Sequence, residues 1–191
     1  MLQTARLSLR EWRAEDMAPF TAMNADPAVM EHFPILLSAA ESAASMERAQ
    51  AHIIRHGFGF WAVEAPGVAS FIGFVGIAHV AFDAPFTPAV EIGWRLARAY
   101  WGQGYAAEAA RAAVADGFGR LGLREIVSFT VPGNWRSRRV MAQLGMTHDA
   151  ADDFDRPRLP ATSPLRRHVL YRLRRGDRAD ARPSTARAPL G

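Results

Sequence analysis

Residues 91–118 read EIGWRLARAYWGQGYAAEAARAAVADGF. Val90 to Leu96 alternates and branches as a strand does, and the alanine-rich run 105–120 is a strong helix former. Between them lies Trp101-Gly102-Gln103-Gly104-Tyr105-Ala106, a turn with two glycines and few polar side chains. A helix that begins near Tyr105 leaves its first four amides without partners inside the helix. Those amides carry the positive end of the helix dipole. Glycines just ahead of them allow positive φ and a close approach of the main chain to a ligand. Strand, glycine turn and helix start therefore make an anion cradle out of backbone N–H groups. Few polar side chains are needed because the main chain can do the binding.

Two glycines alone favour a plain helix start whose glycines merely serve the turn. Residues 102–107 also satisfy the dinucleotide pattern G-x-G-x-x-A. That pattern belongs after the first strand of a βαβ unit, with an acid ending the next strand. Here it follows several strands, and the next one ends Val131-Pro132-Gly133. A Walker phosphate loop is excluded, because the chain holds no lysine to complete it.

Nearer the N-terminus, RLSLREW reads as a first strand and Asp16 to Asn24 as a short helix. Ser38 and Glu41 form a capping box that opens a helix running to about Arg55 and closed by Gly57. FWAVE (60–64) and FIGFVGIAHV (71–80) are two strands of a hairpin turned by Pro66-Gly67. Residues 83–88 are a loop. Ile126 to Val131 is a strand, and Asn134 caps a helix that ends at Leu144 and Gly145. A last strand covers His168 to Leu173. Residues 176–191 lack an apolar period and read as a disordered tail after a single domain over 1–175. The order predicts a mixed α/β sheet.

The chain has 191 residues, 49% of them hydrophobic, enough for one well-buried domain. No run of eighteen apolar residues predicts a membrane span, and Arg6 and Arg10 interrupt the start where a secretory signal needs an apolar core. A cytoplasmic protein with no membrane partner is expected. Cysteine is absent, which excludes disulfides and a cysteine nucleophile. All 23 basic residues are arginine, the net charge is +4, and the arginines are scattered, so no nucleic-acid partner is expected. His52 and His56 stand at metal-ligand spacing on a helix, but Ile53 replaces the metalloprotease glutamate and no third ligand is evident in the sequence. They read as surface histidines, with no metal expected. No G-x-S-x-G elbow is present.

The stretch EIGWRL–ARAYWGQGYAAEA resembles the core motif of the GNAT acetyltransferase superfamily, and in particular its RimJ/RimL-like branch. IVSFTVPGNWRSRRVMAQLGM and the opening TARLSLREWRAEDMAPF resemble that branch's following strand-and-helix and its start. The resemblance runs in order from about residue 4 to 173. It implies a central, mostly antiparallel sheet with one splayed parallel strand pair and helices on both faces. It implies acetyl-coenzyme A as cosubstrate, with the pantetheine arm in the splay. Trp94, Arg95 and Leu96 would supply backbone contacts to the arm. The turn of Trp101, Gly102, Gln103, Gly104, Tyr105, Ala106 and Ala107 would hold the pyrophosphate. Asn134 would face the arm, with a plain N-cap as its other reading. Arg138 and Arg139 would meet phosphates or adenine, or stay solvated.

The implied reaction is attack of a neutral amine on a thioester, which needs a base and an oxyanion donor. Glu91, on the strand entering the splay, is the base candidate, with a sheet-face ion pair as the alternative. A strand amide near Trp94 would serve the oxyanion. Met141 stands seven residues after Asn134, where the family frequently has a tyrosine acid. Ser137 is the nearest hydroxyl on that helix and becomes the candidate acid or coenzyme contact. Glu108 is expected to support the helix start. Glu31, His32, Phe33, Trp61, Phe154 and Asp155 are candidates for the acceptor pocket. The expectation is a direct-transfer N-acetyltransferase, monomeric or homodimeric, acting on a protein N-terminus or a small-molecule amine. A non-catalytic acyl-coenzyme A-binding module and a nicotinamide oxidoreductase are the alternatives.

Overall fold

A computed structural model describes residues 1–157 and 159–176. Two short strands open the chain, β1 (Leu2–Gln3) and β2 (Ser8–Arg10), followed by helices α1 (Met17–Asn24), α2 (Pro27–Met30) and α3 (Ala39–His56). The hairpin of β3 (Phe60–Ala65) and β4 (Ala69–His79) leads to β5 (Val90–Leu96) and α4 (Tyr105–Gly119). Then come β6 (Glu125–Thr130), α5 (Trp135–Gln143), β7 (Thr147–His148), β8 (Phe154–Asp155) and β9 (Arg167–Arg174). The sheet order is β1-β2-β3-β4-β5-β6-β9-β7, with β8 pairing β9 off this path. Every pairing is antiparallel except β5 with β6. This is the mixed sheet expected from the sequence, and residues 177–191 of the expected tail lie outside the described residues.

Side-chain alternation explains the layering. On β4, Phe74 meets Trp12 and Phe20 of the α1 side. On the other face, Ile77 of β4 and Ile126 of β6 close on Gly117 of α4. Helices therefore cover both faces of the sheet. α1 is pinned by a buried ion pair: Arg10 Nη1 and Nη2 donate to Asp16 at 2.7 and 2.8 Å, and both side chains are 2% exposed. A buried charge persists only when so paired.

The predicted capping box is formed. Glu41 N donates to Ser38 Oγ at 3.2 Å and Ser38 N to Glu41 Oε2 at 2.8 Å. The Ser38 N–H, together with the Ser38 hydroxyl donating to Oε2 at 2.8 Å, holds the Glu41 carboxyl below its ordinary range. Gly57 ends the helix at φ 72°. Replacing Ser38 with alanine is expected to lower unfolding free energy by about 1 kcal/mol, read from a urea transition midpoint with unchanged slope.

The sequence missed β1, α2, β7 and β8, each two to four residues long. None is long enough to show a period, and the three strands exist because a neighbouring strand offers them a ladder. Beneath β8 a second apolar cluster joins Val127, Phe154 and Leu170 to Phe82, Phe86 and Phe129.

Candidate active site

The parallel pair opens almost as soon as it forms. Its one register pair is Glu91 with Val127. Just beyond, Ser128 Oγ donates to the Ile92 carbonyl at 3.0 Å. Main-chain groups alternate sides along a strand, so that carbonyl fixes the directions of its neighbours. The amides and carbonyls of Ile92, Trp94 and Leu96 face β6, while those of Glu91, Gly93 and Arg95 face β4. Trp94 thus presents a main-chain donor and acceptor to a gap that β6 does not close. The Leu96 carbonyl already accepts from Trp101 Nε1 at 2.8 Å.

At the end of the gap lies the glycine turn. Gly102 and Gly104 sit at φ 75° and 80°, in the left-handed region that favours glycine. Gly104 is the N-cap of α4 and offers no side-chain cap. The first bond of the helix runs from Glu108 N to the Gly104 carbonyl at 3.0 Å. Among the described residues, none of the amides from 102 to 107 has a protein acceptor. Residues 102–104 are exposed, so their donors are open to a ligand, while Tyr105 and Ala107 are buried behind them. Free amides at the positive end of a fifteen-residue helix suit a phosphate group.

Glu108 holds this start in place. Its carboxylate accepts from Thr4 Oγ1 at 2.7 Å, Arg6 N at 3.0 Å and Arg6 Nε at 2.7 Å. The Arg6 guanidinium lies 4.7 Å from the Tyr105 ring centroid. On the other side, Arg136 stacks at 4.8 Å over Trp101. Nothing in the sequence shows that either arginine reaches the turn, because each is brought there from a distant segment.

Glu91 opens on the opposite side of β5. It lines a cavity of about 240 Å³ with Trp12, Phe20, Phe60, Phe74 and His79. Burial among these apolar rings pushes its carboxyl up to about 7, and the Arg156 charge pulls it partly back. A carboxyl of that pKa is poised to take a proton near neutral pH. Arg95, two places on along the same face, donates from Nη1 to Asn24 Oδ1 at 2.7 Å and stacks 4.0 Å from Phe33. Its buried Nε has no partner, and burial lowers its pKa to about 10.

Asn134 is a working N-cap: Oδ1 accepts from Ser137 N at 3.1 Å and Nδ2 donates to Thr130 Oγ1 at 2.9 Å. Ser137 is half-buried in the first turn of α5, and Met141 is buried. Arg138 is drawn towards β9, donating to Tyr171 Oη at 3.1 Å and to the Pro132 carbonyl at 3.0 Å. Arg139 is exposed. Of the acceptor-pocket candidates, Glu31, His32 and Phe33 lie together, with Glu31 3.7 Å from Arg136 and Phe33 under Arg95. Three others are used elsewhere. Trp61 is a core side chain and its neighbour Phe60 reaches the cavity instead. Phe154 packs 4.8 Å from Phe86 in the second cluster. Asp155 pairs with Arg166 at 3.0 Å.

One structural grouping corrects the sequence reading. His52 and His56 do have a third histidine beside them, His79 of β4. Nothing in the spacing of 52, 56 and 79 reveals it, because the contact depends on how the hairpin folds over α3.

Residues 6–147 match the family model described as an acetyltransferase (GNAT) domain. A protein of Aspergillus fumigatus, FsC-acetyl coenzyme A-N(2)-transacetylase, is 42% identical over 96 residues, which cover 48% of this chain and 40% of that one. The crystal structure of an acetyltransferase from Agrobacterium tumefaciens superposes with a TM-score of 0.72 at 28% identity, covering 90% of this chain and 92% of that one. Mycobacterium smegmatis RimJ, solved with a coenzyme A disulfide, superposes with a TM-score of 0.68 at 22% identity, covering 88% and 82%.

Proposed function

Since the chain belongs to the acetyltransferase (GNAT) family, we propose that it transfers the acetyl group of acetyl-coenzyme A to a primary amine by direct attack. The observation that carries this reading is the gap beside Trp94, with free amides at one end and the Glu91 cavity behind it. The amides of residues 102–107 fit a diphosphate, and Trp94 offers main-chain groups to an amide-bearing arm. When bound, acetyl-coenzyme A supplies an activated acyl group.

The protein's own residues do the rest. Glu91, ionised above pH 7, removes a proton from the incoming ammonium, directly or through water, and frees its lone pair. The Trp94 amide is directed to donate to the oxygen that becomes negative. Apolar rings around Glu91 exclude bulk water and strengthen these interactions. Ser137 is the nearest hydroxyl on α5 for the departing thiolate. Arg95 and Phe33 form the neighbouring wall that an acceptor meets.

The chain covers 40% of the Aspergillus relative, so that protein's activity gives only the reaction class. Protein N-termini and small-molecule amines are the acceptor classes to be tested. An amine library incubated with acetyl-coenzyme A and a thiol reagent is expected to release free thiol with at least one amine, after a thermal shift has confirmed coenzyme binding. Coenzyme binding with no thiol release for any peptide or small amine would replace the enzyme with a binding module.

A further inference from the structure

Two histidines that line the cavity, His52 and His79, stand with His56 in a grouping that acetyl transfer does not use. His52 and His56 stand one turn apart on α3, and His79 ends β4 beside them. One nitrogen from each lies within 4.8 Å of the other two. The ring centroids are 4.5, 4.7 and 5.4 Å apart. Phe58 forms an apolar floor, its ring 5.1 to 5.9 Å from all three.

A second observation orients the set. His52 Nδ1 lies 2.8 Å from the Phe58 carbonyl, so it is the protonated nitrogen and donates there. This is the outer contact that ligating histidines make, and it leaves the Nε2 lone pair facing the other rings. Nε2 accepts from the His79 backbone N–H at 3.2 Å and lies 3.3 Å from His79 Nδ1; a cation would take that lone pair, and the exposed His79 N–H would turn to water. Tetrahedral coordination at 2.0–2.1 Å brings ligand nitrogens to about 3.3 Å from one another. Ring rotations at exposed His56 and His79 supply the remaining approach.

The geometry points to a three-histidine site for one divalent transition cation, with zinc as the probe, bridging α3 and the end of β4 beside the acceptor cavity. Three imidazoles select zinc, cobalt, nickel or copper over magnesium and calcium. A fourth position stays free for water or a ligand atom.

The test uses the full chain without a polyhistidine tag, and neither coenzyme nor acceptor, so its failure is separate from failure of the acetyltransferase reading. Zinc chloride titrated by calorimetry is expected to bind one ion per chain, magnesium and calcium chloride to give no heat, and cobalt to show visible d–d absorption. His56→Ala and His79→Ala are each expected to weaken zinc binding at least ~10-fold, since losing even an outer-shell partner costs that much. His56 is exposed, so its variant keeps the fold. Wild-type affinity in either variant, or a zinc Kd weaker than about 100 µM in the parent, overturns the site.

Discussion

Glu91→Gln is expected to lower kcat by about 10²- to 10⁴-fold while leaving coenzyme affinity within a factor of about two, the range lost with a general base. Glutamine keeps the volume and polarity of the side chain but cannot take a proton. The parent's rate should rise as pH climbs through about 7, where the Glu91 carboxyl ionises, and level off above it. In the variant that limb should vanish. An acceptor whose amine titrates well above pH 8 keeps the two ionisations apart.

Stability gives an independent check with the opposite sign. Burial raises Glu91 in the folded state, so folding favours its protonated form. The penalty grows as pH rises from the ordinary carboxylate range to about 7 and is constant beyond. Glu91→Gln removes that penalty, so the variant's Tm should exceed the parent's at pH 8 and approach it near pH 4. A sheet-face ion pair predicts the reverse, with the variant less stable at pH 8. Retention of the pH limb near 7 in the variant would remove Glu91 as the base.

What the sequence revealed and what it hid divide along chain separation. The glycine turn, the Ser38 box and the Asn134 cap are local, written in residues a few places apart, and each stands where it was read. The pocket is not local. Trp61 and Phe154 are large aromatics of the kind that line clefts, and both fill cores. Alternation could have shown that Phe60 and Trp61 face opposite ways, but not which faces the cavity. Arg6 reaches Glu108 across 102 positions and His79 reaches His52 across 27, so no motif registers either contact. Glu91 was legible as a base candidate, but its raised pKa was not, because the burial that causes it comes from Trp12, Phe20, Phe60 and Phe74 in four different segments.

Gly104→Val should raise the dissociation constant for acetyl-coenzyme A by about 100-fold or more. Hydrogen bonds to charged groups contribute ~1.5–3 kcal/mol each, and losing two reaches that factor. The valine has two separable effects. A β-branched residue at φ 80° carries backbone strain of order 1–3 kcal/mol, which destabilises the fold wherever it occurs. It also covers the exposed amides ahead of α4, which affects only a ligand there. Gly57→Val isolates the first effect: Gly57 has φ 72° and nothing within 4 Å of an added Cβ, yet it caps α3 far along the chain from the turn. The two variants should lose comparable stability, and only Gly104→Val should lose the coenzyme. Gly104→Ala adds a single carbon whose nearest contact is Arg6 Nη2 at 3.5 Å, an ordinary distance, so its affinity should fall between parent and valine. Equal coenzyme affinity in folded Gly104→Val and Gly57→Val would mean the phosphates are held elsewhere. The amides of residues 102–107 would then need another explanation for standing free.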